Sequence, residues 1–146
     1  MTASAWSIYN SVKELAFEKV IDLNNDTLKL ALFLAASNAA DLTNQNYGDL
    51  SNEHANGNGY LTGGIALTSL VWSRTAGVAG LDSDTIIFTP VGGSIICRFA
   101  VIYDDTAVNK PLICYSLLDV TPNDVSAEDG KQLYIQVDSG GIFLLG

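Results

Sequence analysis

The chain has 146 residues, which is enough for a single domain, 1–146, with a core that needs neither metal ions nor disulfides. Its net charge is −9 with only seven Lys and Arg residues, which argues against a nucleic-acid partner and against an anionic membrane surface. Charged residues make up only 16% of the chain and apolar residues 48%, so we expect another copy or another protein to cover part of the surface.

Residues 1–22 are predicted to form either a short helix or an extended arm. Tyr9, Val12 and Ala16 have the spacing of one amphipathic helix, with Ser7 as a candidate N-cap. An arm that reaches onto a neighbouring molecule is the alternative, in which Trp6 would need a pocket. The first residues lack a secretory signal and no apolar run has the length of a membrane span, so we expect a protein made inside the cell.

The next segments are predicted to be a turn, a strand and a long polar loop. Residues 22–26 combine two Asp with two Asn, as turns do. In residues 27–36 every second position is Leu from Leu28 to Leu34, and this period of two favours a strand over a helix. Residues 37–58 are mostly polar and are predicted to form a surface loop with one helical turn at 49–54.

A glycine-rich run, Asn56–Gly64, divides the chain into a mostly polar part and a strand-rich part. Glycine and Asn tolerate positive φ, so the sequence NGNGYLTGG predicts a backbone that bends twice. We interpret the run as the hinge between the polar loop and a strand that begins at Ile65. Tyr60 is predicted to anchor it, packed against the body of the domain or against a sister subunit.

The remainder of the chain is predicted to be strands joined by short turns. The predicted strands are Ile65–Arg74 with a bulge near Ser69, then 85–89, 94–103, 111–119, 131–137 and 142–145, with loops at 75–82 and 121–130. Short strands at regular spacing without intervening helices predict an all-β fold, a jelly-roll-like β-sandwich.

The hairpin that joins the predicted strands 94–103 and 111–119 has a testable register. If Asp104 lies opposite Lys110, Ile102 faces Leu112 and Ala100 faces Cys114. Cys97 and Cys114 then project from opposite faces of the sheet, so we expect two buried thiols without a disulfide between them.

The sequence contains no set of residues that predicts catalysis, a cofactor or a bound metal. His54 is the only histidine, and with Glu53 it is more simply a solvated loop residue than half of an acid–base pair. The acidic pairs Asp22/Asp26 and Asp104/Asp105 favour turns over calcium ligation. We therefore expect a protein that is not an enzyme.

Aromatic residues are the best candidates for contact with another molecule. Trp72, Tyr47 and Tyr60 have the chemistry of a sugar-binding face, although packing in the core or against a subunit explains them more simply. The candidate interaction residues are Trp6, Tyr9, Tyr47, Tyr60 and Trp72.

The chain resembles, from about Ile21 to Leu145, a family of small structural proteins encoded by tailed bacteriophages among their virion genes. The similarity lies in five segments: IDLNNDTLKLALF, NYGDLSNE, GNGYLTGGIAL, CRFAVIYDDT with KPLICYSLLD, and YIQVDSGGIFLL. The most specific of them are Gly59-Tyr60 with Thr62-Gly63-Gly64, Arg98–Asp104 and Gly141-Ile142-Phe143.

The resemblance implies a capsid decoration, or cement, protein that binds the lattice of the major capsid protein and stabilises the expanded head. It implies a homo-oligomer, with a trimer favoured, made in the host cytoplasm and located on the capsid surface. A tail or fibre component and a carbohydrate-binding β-sandwich module are the alternatives.

Overall fold

The computed structural model describes residues 2–146, and these fold into twelve strands, one short α-helix and one 3₁₀ turn. The N-terminal elements are β1 (Ser7–Ile8), α1 (Val12–Phe17), β2 (Leu28–Phe33), the 3₁₀ turn (Tyr47–Asp49), β3 (Ile65–Ala66), β4 (Val71–Thr75) and β5 (Val78–Asp82). The C-terminal elements are β6 (Ile86–Phe88), β7 (Ile95–Cys97), β8 (Phe99–Asp104), β9 (Leu112–Leu117), β10 (Val125–Ala127), β11 (Leu133–Ile135) and β12 (Phe143–Leu145). The predicted all-β class is confirmed.

The centre of the molecule is an antiparallel sheet with the strand order β1-β9-β8-β2-β3. All six residues of β8 are buried and so are five of the six of β2, because both strands are apolar on both faces. The strand predicted from the Leu alternation is therefore confirmed, and it is covered on both sides.

The other strands form an antiparallel second set that packs on the same apolar core as the central sheet. β6 pairs with β11, β7 pairs with β10, and β12, β5 and β4 form a three-stranded sheet. In β6, β7, β10 and β11 the first and third residues are buried and the middle residue is exposed. This alternation is typical of a sheet with one face on a core, and it gives a sandwich-like architecture.

The N-terminal segment contains both a short helix and an extended part, and the extended part pairs with the central sheet of its own chain rather than forming the predicted arm toward a neighbour. β1 adds to the edge of the central sheet beside β9, and α1 follows it after one turn. Ser7 lies in β1 opposite Tyr115, so the predicted N-cap role of Ser7 is wrong. Ser11 precedes α1 instead, without a capping hydrogen bond from its side chain.

The predicted register of the β8–β9 hairpin is wrong by two residues. Ile102 pairs with Cys114, because a bulge follows Ile102 and the amide of Asp104 donates to the carbonyl of Pro111. A shift by two keeps each side chain on its predicted face. The two cysteines are both buried and free, as predicted.

Four further boundaries differ from the sequence predictions. The segment 65–74 is two strands in different sheets rather than one bulged strand, and Ser69 has a φ of 51° at the break between them. Residues 78–82, predicted as loop, form β5, and β10 lies inside the predicted loop 121–130. The helical turn of the polar loop lies at Tyr47–Asp49, slightly earlier than predicted.

Among residues 2–146, no helix combines the length and the apolar character needed to cross a lipid bilayer.

Candidate interaction surface

The candidate interaction surface is centred on the three-stranded sheet of β4, β5 and β12, which we call the ribbon. β4 and β5 form a hairpin in which Thr75 pairs with Val78, so that only Ala76 and Gly77 form the loop. Both loop residues have positive φ, 49° and 85°, as a type I′ turn requires. β12 pairs along the other side of β5, with Phe143 opposite Leu81.

Only one end of the ribbon is packed against the core. Leu81 is fully buried, and the half-buried Trp72 lies beside Phe143 with a distance of 6.1 Å between ring centroids. Beyond these residues β4 is exposed, whereas β5 is half-buried at Ala79 and Gly80 and exposed at Val78, so the loop end is the less covered end of the ribbon.

Apolar side chains are exposed on both faces of the ribbon. Val71 and Leu144 are 50% and 59% exposed on one face, where Val78 also lies, and Leu145 is 47% exposed on the other. A sheet that exposes apolar side chains on both faces is a typical contact surface for another protein.

An apolar groove of about 820 Å³ lies beside the ribbon, between the N-terminal segment and the C-terminal strands. Trp6 and Ile8 line one wall, and Leu133 and Phe143 line the other. The wall formed by the N-terminal segment is held in place at Ser4, whose amide donates to the carbonyl of Leu117 (2.8 Å). The groove and the ribbon share Phe143 and Leu144 and are therefore continuous.

The glycine-rich run is held against the central sheet by a network around Glu53. Oε1 of Glu53 accepts hydrogen bonds from the hydroxyl of Tyr60 (2.6 Å) and the amide of Gly63 (2.7 Å), and Oε2 accepts one from the hydroxyl of Tyr47. Tyr103 stacks on Tyr47 at 4.5 Å and donates to the carbonyl of Gly63 (2.7 Å). Burial, followed by the bond to Glu53, raises the pKa of both Tyr47 and Tyr60 far above its usual range.

Gly64 explains why the run needs glycine. Its φ is 76°, and a Cβ atom at this position would overlap the carbonyl oxygen of Leu30 in β2. Only a residue without a side chain can bring the run this close to the central sheet. The run is therefore part of the scaffold, and Tyr60, 1% exposed, packs in the body of the domain, the first of the two predicted alternatives.

The predicted description of His54 and Glu53 as solvated loop residues is wrong. His54 is buried beside Tyr60, with its Nδ1 atom 2.8 Å from the carbonyl oxygen of Ala55, which places a proton on Nδ1. Glu53 accepts three hydrogen bonds in the network described above. Both residues therefore hold the loop in place.

The two acidic turns considered as calcium sites meet in space. The buried carboxyl of Asp104 accepts hydrogen bonds at Oδ1 from the amides of Thr106 and Ala107 and lies against the carboxyl of Asp26. Burial, and then the neighbouring Asp26, raise the pKa of Asp104 to about 6. Within residues 2–146 no group of three or more His, Cys, Asp or Glu side chains is arranged to hold a metal.

The thiols of Cys97 and Cys114 are expected to be unreactive. Burial raises the pKa of Cys97 to about 12 and that of Cys114 well above its usual value. A thiol with so high a pKa carries almost no thiolate at neutral pH and is a poor nucleophile.

The structure does not bring the predicted interaction residues together in one site. Tyr9 is fully buried, with its hydroxyl donating to the carbonyl of Ala39 (2.6 Å), and Tyr47 and Tyr60 belong to the Glu53 network. Only Trp6, in the groove, and Trp72, at the base of the ribbon, lie in the candidate surface.

The exposed apolar residues of the ribbon were missed by sequence reasoning. The final segment IFLL was the available signal, because a strand without polar residues has no face suited to solvent. No protein-family model, curated protein or solved structure matches the chain.

Proposed function

We propose that this protein is a structural component of a tailed-bacteriophage virion: a capsid decoration protein that binds the lattice of the major capsid protein. The observation that carries the proposal is the ribbon, with apolar side chains exposed on both of its faces. The sequence resemblance supplies the identity of the partner, and the ribbon with its neighbouring groove supplies a surface for it.

The proposed mechanism is stabilisation by binding. A subunit that binds the expanded shell and not its precursor stabilises the expanded form by mass action, without any chemical step. The net charge of −9 opposes nonspecific aggregation of the free protein, and the low share of charged residues leaves apolar surface for the lattice contact.

The alternatives have less support in the geometry. A sugar-binding face built on Tyr60 is disfavoured because that ring is buried, and Trp72 packs against Phe143 rather than beside another exposed ring. A role in the tail or in a fibre uses the same kind of surface and is separated from the head by the experiment below.

The experiment is binding to expanded shells that lack this protein, assembled from the major capsid protein encoded with it. We expect saturable binding at fixed lattice positions, seen by cryo-electron microscopy, and a higher melting temperature of the shells. Absence of binding to shells overturns the proposal, and gold labelling of tails in purified virions assigns the protein to the tail instead.

Variants of the ribbon connect the binding to the surface described above. The double variant Val78→Ser/Leu144→Ser removes exposed apolar side chains, so we expect shell affinity to fall at least about tenfold, while the free energy of unfolding changes by no more than about 0.5 kcal/mol per site. Val108→Ser is the matched control, because Val108 is 81% exposed in the distant β8–β9 loop. An equal loss of affinity in the control would contradict a contact through the ribbon.

A further inference from the structure

The outer edge of the ribbon is an open β-strand. β4 borders β5 on one side only, since the order of the sheet is β12-β5-β4. It spans five residues, Val71–Thr75, whereas every other strand with an open edge spans two or three. Proteins commonly protect such edges with proline, lysine or a bulge, and β4 contains none of these.

The hairpin turn determines which backbone groups of β4 point outward. In a two-residue hairpin the closing pair, Thr75 with Val78, exchanges both of its hydrogen bonds, and bonded and non-bonded pairs then alternate. Ser73 and Val71 therefore bond to β5, while the N–H and C=O groups of Trp72 and Arg74 point to the open side. The carbonyl of Leu81, the residue opposite Trp72, agrees with this pattern because it accepts from Ile142 on the other side of β5.

We propose that two copies of this chain pair through β4, antiparallel and about a two-fold axis at Ser73. In this register Trp72 of each copy lies opposite Arg74 of the other. The outward N–H and C=O groups of both residues then form two complete bonded pairs, which makes four hydrogen bonds between the copies. The ribbon becomes one continuous six-stranded sheet with β12 at both ends.

The side chains are also complementary in this register. Opposite residues of an antiparallel pair project from the same face, so the guanidinium of Arg74 lies beside the indole of Trp72 from the second copy, a favourable cation–π arrangement. Val71 lies opposite Thr75, so β4 brings no pair of like charges face to face. This matters for a chain with a net charge of −9, in which Arg74 is the only cation of the ribbon.

The two-fold axis at Ser73 implies a dimer and excludes a trimer formed through the same contact. A contact in which the same patch meets itself closes after two copies, whereas the sequence resemblance favours three. The inference therefore concerns the free protein in solution and is independent of the proposal that it binds capsids.

The experiment combines mass measurement with cysteine cross-linking. We expect light scattering and native mass spectrometry to give a reversible dimer with twice the chain mass. A constant monomer up to about millimolar concentration, which corresponds to a Kd weaker than any useful contact, overturns the proposal, and so does a trimer.

Cross-linking tests the register. Ser73→Cys places two thiols opposite each other at a non-bonded pair, where the Cα separation of about 4.5 Å allows a disulfide. Thr75→Cys is the matched control, because the two introduced thiols then lie four residues apart along the paired strands. We expect a disulfide-linked dimer in the first variant only. Equal cross-linking in both, or none in the first, contradicts the register.

Two substitutions at Arg74 separate the contribution of its backbone N–H to dimerisation from that of its side chain. Arg74→Pro removes an outward N–H that β5 does not use, so the fold tolerates it as it does other edge prolines. The dimer loses two hydrogen bonds, and we expect Kd to rise about 10- to 30-fold. Arg74→Ala keeps the N–H and is expected to raise Kd only a few-fold. An unchanged Kd in Arg74→Pro, with the fold intact, would overturn pairing through this edge.

Discussion

The central strands and the ribbon are both antiparallel sheets built from strands of similar length, yet they differ in what surrounds them. β8 has every residue buried, and β2 has only Lys29 partly exposed. In the ribbon Leu81 is the one fully buried residue of the hairpin. The comparison teaches that hydrogen bonding between strands is common to both regions, whereas burial differs and determines where stability is concentrated.

The difference in burial between the central strands and the ribbon follows from their amino-acid composition. β2 and β8 are rich in Leu, Ile, Phe and Val, which suit a sheet covered on both sides. The ribbon hairpin includes Ser73, Thr75, Ala79 and Gly80, which are too small or too polar to fill a core. We expect the central sheet to contribute most of the free energy of unfolding and the ribbon to provide a surface, and the predictions below test this division.

The largest expected effect on the free energy of unfolding comes from Gly64→Ala, which disrupts the packing of the glycine-rich run against the central sheet. The new Cβ overlaps the backbone of Leu30 at a positive φ, so we expect a loss of about 3–5 kcal/mol or failure to fold. Denaturant unfolding measures it. Gly48→Ala is the matched control, since nothing lies within 4 Å of its Cβ, and we expect a change below about 0.5 kcal/mol. Similar changes in the free energy of unfolding for the two variants would show that the glycine-rich run does not need its close approach to the backbone of Leu30.

An intermediate effect is expected from Asp104→Asn at the end of β8. The raised pKa of Asp104 means that the folded state holds a proton more tightly than the unfolded state. The stabilisation from this proton is therefore fully present below the unfolded-state pKa of 3.8 and is lost as the pH rises through about 6. Asparagine keeps the acceptor for Thr106 and Ala107 and offers an N–H to Asp26, so we expect the variant to be more stable at pH 8 by about 1–2 kcal/mol.

The measurement for Asp104→Asn is the difference in unfolding free energy between variant and parent at pH 4 and at pH 8. A difference is needed because Asp22, Asp41 and Asp119 have lowered pKa values that stabilise both proteins as the pH rises. An equal gain in unfolding free energy at both pH values would contradict the inference that the neighbouring Asp26 destabilises the ionised carboxylate of Asp104.

The smallest expected effect comes from Ala76→Asn in the turn of the ribbon. Ala76 has a φ of 49°, a conformation that Asn adopts with less strain, so we expect a gain of about 0.5–1 kcal/mol in the hairpin alone. Hydrogen exchange should show slower exchange of ribbon amides and unchanged exchange in β8. Slower exchange throughout the molecule would mean that the two regions unfold as one unit.

Local patterns predicted the buried strands well. The Leu alternation identified β2, because this pattern records which side chains face a core, and the predicted strand 131–137 contains β11. The β8–β9 register was missed by two residues, since the bulge after Ile102 depends on the conformation of the connecting loop. The predicted face of each side chain is still correct, because a register shift of two residues leaves every side chain on the same face of the sheet.

The ribbon could not be predicted in the same way. The segment 76–80 looks like a loop because four of its five residues are Ala or Gly, and its pairing with β12 depends on a partner distant in the sequence. For the same reason Trp72 was named as a candidate contact residue while the apolar residues around it were not. Tyr9 and Tyr60 were named on chemistry alone, which does not tell a buried aromatic ring from an exposed one.

The positions of the two tryptophans give the molecule a built-in pair of optical probes. Trp6 lines the groove beside the N-terminal segment, and Trp72 lies at the base of the ribbon against Phe143. With only two indoles in the chain, Trp6→Phe leaves an emission spectrum that comes from the ribbon, and Trp72→Phe leaves one that comes from the groove. Fluorescence can therefore follow the two neighbouring surfaces separately, without an attached dye.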